Sequence, residues 1–190
     1  MAQHGDGQWE QCAMDSDHIE VVDYDPTWPS RFESERESIA KVFGPRAVDI
    51  QHVGSTAVMG LPAKPVIDIL LAVEDMSKPH EVVNVMTSLG YTNVPHDEDD
   101  RRLFFCKGMP RSHHVHVVKQ FSWTYWKHII FREYLRENEA AREEYALLKR
   151  QLAEAHRHDR AAYVSGKTAF IEGALQDSII RHGQSAKTDK

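Results

Sequence analysis

Apolar and polar positions follow two periods along the chain, and the change between them separates a mixed first half from a helical last third. In SRFESERESIAKVFG, residues 30–44, Phe32, Ile39 and Phe43 are spaced by seven and four, which predicts a helix closed by Gly44. PHEVVNVMTSLG, residues 79–90, predicts a second helix closed by Gly90. AVDIQHV (47–53) and VIDILLAV (66–73) have the length and β-branched content of strands, and shorter strands are predicted at YTNV, RLFFCK and HVHVV. IEVVDYD, ahead of the first helix, reads as extended, and VPHDEDD as an acidic loop. Gly60, Pro62 and Pro65 punctuate the segment after Gly54, so it is a loop with at most one helical turn.

From Asn138 onward, Ala141, Tyr145, Leu148, Leu152 and Ala155 recur at spacings of four and three, with Asn138 placed as an N-cap. Tyr163, Phe170, Ala174 and Ile179 continue a helical stripe through residues 161–180. The aromatic-rich segment from Phe121 to Tyr134 is expected to dock the helical part onto the rest. The pattern therefore predicts one α+β domain over residues 19–181, whose helical subdomain occupies about 121–181. Flexible tails are expected at 1–18 and 182–190.

Alternation along VIDILLAV places Ile67, Ile69, Leu71 and Val73 on one face, and Val66, Asp68, Leu70 and Ala72 on the other. The first face is a core face. The second carries a single carboxylate, which needs a partner if it is buried. The same parity applied to HHVHVV puts His114 and His116 on the polar side and Val115 and Val117 on the apolar one. If the two strands are neighbours, Asp68, His114 and His116 converge. They then form either a hydrogen-bonded structural network or a ligand set. Two imidazoles and one carboxylate suit a divalent transition metal such as zinc or manganese better than Mg²⁺.

The Gly54-Ser55-Thr56 turn adds a second candidate feature. Glycine permits close backbone approach to a ligand, and a following helical turn points N–H groups outward toward phosphate oxygens. Lys64, at the mouth of the Asp68 strand, and Arg102, which leads a later strand after the acidic loop, are candidates to balance phosphate charge. Arg101 or Arg102 is expected to pair with the acids at 97–100.

Composition narrows the classes of partner. The chain has 190 residues, 41% hydrophobic and 27% charged, which suits one soluble globular core. A net charge of −6 makes no strong case for nucleic acid. No apolar run approaches the ~18 residues that a membrane helix needs. The N-terminus lacks the basic and apolar regions of a signal peptide, so a cytoplasmic location is expected. Cys12 and Cys106 are then expected to be free thiols.

The stretches HVGSTAVMGLPAKPVIDIL, RRLFFCKG, HHVHVV and FREYLR, together with Tyr163-x-x-x-Lys167-x-x-Phe170-Ile171, resemble in type and order the GrpB family, also called UPF0157. The resemblance implies a nucleotidyltransferase-like fold, a mixed sheet flanked by helices. It also implies a nucleotidyltransferase-like enzyme acting on a nucleotide or other phosphorylated small molecule in a metal-assisted cleft. The superfamily pattern is a glycine-serine turn, an acid-x-acid strand and a third acid on a later strand. Gly54, Ser55 and Asp68 match it, Leu70 stands where the second acid belongs, and His116 or His114 where the third does. On this reading Asp68 and His116 are catalytic, with a histidine as metal ligand or general base. Gly54, Ser55, Thr56, Lys64 and Arg102 bind substrate, and Asp68, His114 and His116 hold the metal. The missing acid also leaves open a non-catalytic nucleotide- or ligand-binding module on a degenerate scaffold, or a metal-dependent hydrolase.

Overall fold

The computed structural model describes residues 18–95 and 102–188, with side chains as far as residue 181. The expected N-terminal tail with Cys12, most of the acidic loop and the expected pairing of Arg101 or Arg102 with its acids lie outside the described residues.

An extended stretch forms an antiparallel bridge between Val22 and Ala63 and leads into α1, Trp28–Phe43. Pro29 sits in the first turn of that helix, where its missing N–H costs nothing. Strands β1 (Asp49–Val53) and β2 (Ile67–Val73) follow, then α2 (Pro79–Ser88), β3 (Thr92–Val94), β4 (Arg102–Lys107) and β5 (His113–Lys119). Four helices complete the chain: α3 (Trp123–Glu137), α4 (Glu139–Ala155), α5 (Arg160–Ser165) and α6 (Thr168–Thr188). Side-chain caps start three of them. Ser122 accepts from Tyr125 N, Asn138 from Ala141 N as expected, and Asp159 from Ala162 N.

The strands form one five-stranded mixed sheet in the order β1-β2-β5-β4-β3. The central pair, β2 and β5, is parallel; the other pairs are antiparallel. Both faces are covered. Ile67, Ile69, Leu71, Val115 and Val117 pack with Trp28, Ile39 and Phe43 of α1 and Val82 and Met86 of α2. On the opposite face Leu70, Ala72 and Val118 meet Tyr125 of α3, with Ile129 packed against them. The parity read from the two strands is therefore the parity of the sheet.

α3 is held to β1 by Arg132, buried to 8% exposure. Its guanidinium donates to His52 O at 2.7 Å and Gln51 Oε1 at 2.9 Å. The segment expected only to dock by its aromatics is thus a full helix with a polar anchor. Two boundaries also differ. The stripe over residues 161–180 is divided between α5 and α6, and the helical backbone continues to Thr188, beyond the expected break near 182. Cys106, on β4, is disulfide-bonded rather than a free thiol. A count of two cysteines does not say whether the fold brings a thiol to a partner. Among the described residues no helix is long and apolar enough to cross a membrane.

Candidate functional site

α3 covers only the downstream half of its sheet face. The start of β2 is left open there, and that position holds Asp68. In the parallel register Asp68 lies opposite His114 and Leu70 opposite His116. Asp68 Oδ1 accepts from His114 Nδ1 at 3.0 Å, and the carboxylate side chain remains 29% exposed to the cleft. Burial would raise the Asp68 pKa, but the His114 hydrogen bond and the positive charge of its neighbours, Lys167 among them, bring it below the usual value. The partner demanded by a carboxylate in an apolar strand is therefore His114.

The glycine-serine turn closes against the same acid. Gly54 has φ +70° and ψ −170°, a conformation restricted in practice to glycine. A Cβ there would lie 3.0 Å from both Cβ and Cγ of Asp68, and closer still to Oδ2. Close approach and backbone shape thus require the same residue. A 3₁₀ turn over Ser55–Ala57 follows, as expected. Ser55 reaches the cleft. Thr56 serves the fold instead: it is buried, its hydroxyl donates to Val66 O at 3.4 Å, and it meets His52 Nε2 at 3.0 Å.

The cleft has two continuous compartments. The smaller, about 430 Å³, is bordered by Ser55, Lys64, Asp68, Arg102, His114, His116, Lys149, Arg160, Tyr163 and Lys167. The larger, about 860 Å³, shares Ser55, Asp68, Arg102, His116 and Lys167, and extends between α3 and α6. The sequence-derived residues Ser55, Lys64, Asp68, Arg102, His114 and His116 are thus brought together.

Lys149 and Arg160 were not singled out from sequence, and Lys167 only within the motif Tyr163-x-x-x-Lys167-x-x-Phe170-Ile171, not as a site residue. All three come from the C-terminal part of the chain, Lys149 on α4, Arg160 on α5 and Lys167 in the break between α5 and α6. Lys149 is 2% exposed, donates to Pro62 O and lies over the Tyr145 ring, 4.8 Å from its centroid. Its signal was present: Ala141, Tyr145, Lys149 and Ala153 form a straight buried line of i,i+4 spacing on α4, with one ammonium in it. Burial, then the charges of Lys167 and Arg150, push the Lys149 pKa down to about 7. Burial and neighbouring Arg160, Lys167 and Arg111 bring Lys64 to about 8. Lys167 and Arg160 are lowered mainly by burial. Cations crowded together in low dielectric lower one another's pKa and favour an anion between them.

The expected three-ligand metal centre is not gathered. Asp68 and His114 bond each other, whereas His116 Nδ1 faces Arg102 Nη1 at 3.4 Å. Among the described residues no three His, Cys, Asp or Glu side chains are grouped to hold a metal ion. The physical reason is spacing: His114 and His116 are two residues apart along a strand, and the Phe104 ring lies 5.1 and 5.0 Å from theirs. An arginine only donates, so His116 Nδ1 accepts and the ring proton resides on Nε2. Burial, His128 and Arg102 keep His116 well below its ordinary pKa and hence neutral at pH 7. His128 of α3, also missed, packs its ring at a tilt against that of His116, with centroids 4.8 Å apart, and burial lowers its pKa to about 4.

A sequence model of the GrpB protein family matches residues 18–177. A UPF0157 protein of Pseudomonas aeruginosa is 40% identical over 176 residues, covering 90% of this chain and 71% of that protein. The crystal structure of GrpB from Enterococcus faecalis superposes with a TM-score of 0.79 at 33% identity, over 86% of this chain and 99% of that one. The Cid1 poly(U) polymerase, in a structure with Mg and 3'-dATP, gives a TM-score of 0.50 at 10% identity over 78% of this chain and 48% of that one. At that identity the likeness is one of fold, and the fold is nucleotidyltransferase-like.

Proposed function

The chain belongs to the GrpB family, and from that premise we propose that its cleft binds the phosphates of a nucleotide or other phosphorylated small molecule and transfers a nucleotidyl group to a small acceptor. One observation carries the reading. Five cationic side chains, Lys64, Arg102, Lys149, Arg160 and Lys167, border the smaller compartment, and among the described residues that line it Asp68 is the one carboxylate. Cations gathered that closely repel one another, and a polyphosphate among them would relieve the repulsion while forming charge-assisted hydrogen bonds. Ser55, on the turn that Gly54 permits, supplies a hydroxyl at the edge of the same space. His116, neutral and protonated on Nε2, donates to a phosphate oxygen. Asp68, at the junction of the two compartments, is where a divalent cation carried in with the phosphate would bind.

Leu70 supports the alternative of a non-catalytic binding module, because an apolar residue fully buried against α3 stands where the second acid belongs. Titration calorimetry with inorganic triphosphate and with nucleoside triphosphates, with and without Mg²⁺, tests the shared part of both readings. Triphosphate affinity should fall as pH rises through 7 to 8, since Lys149 and Lys64 lose the charge that holds the ligand. Lys149→Met should weaken binding by tenfold or more at pH 6.5. Absence of binding at low salt under every condition would overturn the phosphate reading. Pyrophosphate release on incubation with a nucleotide and a pool of small hydroxyl acceptors, lost in Asp68→Asn, separates the enzyme from the module. Tight binding without release would assign the module.

A further inference from the structure

The larger compartment has a chemistry that phosphate recognition does not use. Its polar end is the shared boundary with the smaller one, where Arg102 and Lys167 flank Asp68. Away from that boundary its wall is mostly apolar, with Lys127, His128, Glu172 and Gln176 among the polar side chains on it. Ile171, Leu175 and Ile179 lie at i,i+4 spacing on α6 and line the compartment together with Phe131 and Trp123 of α3. Four large apolar side chains at its mouth, Trp123, Val164, Ile179 and Ile180, are each about half exposed. Soluble proteins seldom leave such a group together without a function for it, and here it continues directly into a cationic cleft. A flat nucleobase would leave most of an 860 Å³ space lined this way uncovered.

We propose that the larger compartment takes an amphiphile, a phosphate monoester with a hydrocarbon body, whose head lies at Arg102 and Lys167 and whose body runs along the Ile171-Leu175-Ile179 stripe. Two observations select that occupant. The charge at the boundary is complementary to an anionic head. The apolar wall begins within the same cavity, so head and body are satisfied together. The inference rests on the phosphate reading and narrows it: the acceptor, or the body of the substrate, is apolar rather than a sugar or a nucleic acid strand.

The test is a calorimetric series of n-alkyl monophosphates, from butyl to decyl below their micelle concentrations, on the full chain. Inorganic phosphate and triphosphate give the head alone, and n-octanol the body alone. Affinity should rise about fourfold per added methylene until the stripe is covered. Octanol should bind at least a hundredfold more weakly than octyl phosphate. Ile179→Asp, at a half-exposed position where folding is checked by circular dichroism, should flatten the chain-length series. If triphosphate binds but the alkyl series is flat, the amphiphile is wrong and the phosphate reading stands. If neither triphosphate nor any alkyl phosphate binds, both fail. Octanol binding as tightly as octyl phosphate would overturn the head assignment and leave a plain apolar groove. Sedimentation gives a fourth outcome: a dimer that Ile179→Asp makes monomeric would assign the face to a second copy of the chain and overturn the proposal.

Discussion

Replacing Gly54 by alanine tests the closest contact in the site. At φ +70° and ψ −170° a side-chain-bearing residue is strained by about 1–3 kcal/mol. The new methyl would also lie 3.0 Å from Asp68 Cβ and Cγ, and displacing the carboxylate from such a contact costs a further ~1–3 kcal/mol, as overpacking does elsewhere. The expected total is about 2–6 kcal/mol, a large fraction of the ~5–15 kcal/mol that holds a typical domain folded. Urea unfolding followed by far-UV circular dichroism measures it directly, as a lower midpoint at unchanged slope. A second variant separates the two causes. In an Asp68→Ala background the Oδ2 and Cγ contacts are gone, so Gly54→Ala should cost less by up to ~1–3 kcal/mol, while the backbone strain and the contact with the Cβ at position 68 remain. A cost under ~1 kcal/mol in the wild-type background would show that the turn is not held in the glycine-only conformation. An equal cost in both backgrounds would refute the clash with the acid.

Two further perturbations address the frame around the site. His52 and His128 have pKa values lowered by burial from 6.5 to about 4, so between those pH values the unfolded chain binds more protons than the folded one. Stability should therefore fall as pH drops from 6.5 to 4, by at most ~3 kcal/mol per histidine, with a further loss below as Asp68 protonates through its depressed pKa. Urea midpoints at pH 7, 6, 5 and 4 measure the slope, and His128→Phe should reduce it; a flat profile would contradict the burial of these rings. Arg132→Ala removes a buried guanidinium and orphans the His52 carbonyl, so it should destabilise by about 3 kcal/mol or more. Denaturation showing a loss below ~1 kcal/mol would mean that α3 is held to β1 by its apolar contacts alone.

The family match and the superposition on GrpB agree with the mixed sheet, flanking helices and relationship expected from the motifs. Much of this was legible because it is written in local period. A strand read as alternating positions can face its core in only one way, so Ile67, Ile69 and Leu71 had to share a face and Asp68 had to lie opposite them. The same holds for Val115 and Val117 against His114 and His116. Gly54 was legible as a close-approach residue, though not what approached it. Composition could not identify the ligand set. Whether two histidines two residues apart join one acid depends on strand stagger and on the ring placed between them, and Phe104 comes from a third strand.

The cationic lining was the part furthest from view. Lys149 sits among apolar residues of α4, Arg160 opens the six-residue α5, and Lys167 falls in the break between α5 and α6. Each reads alone as a solvated helix residue. They meet Lys64 and Arg102 because α3, capped by Ser122 and anchored through Arg132, covers half of one sheet face and carries the later helices past its open end. The sequence by itself determined which residues form strands, which face each strand buries, and that one carboxylate would need a partner, since those follow from short-range geometry of the backbone. Only the tertiary structure decided that the partner is His114, that His116 turns to Arg102, and that distant lysines surround the acid. Those outcomes depend on how whole elements pack, and packing places side chains by shape and charge without regard to their distance along the chain.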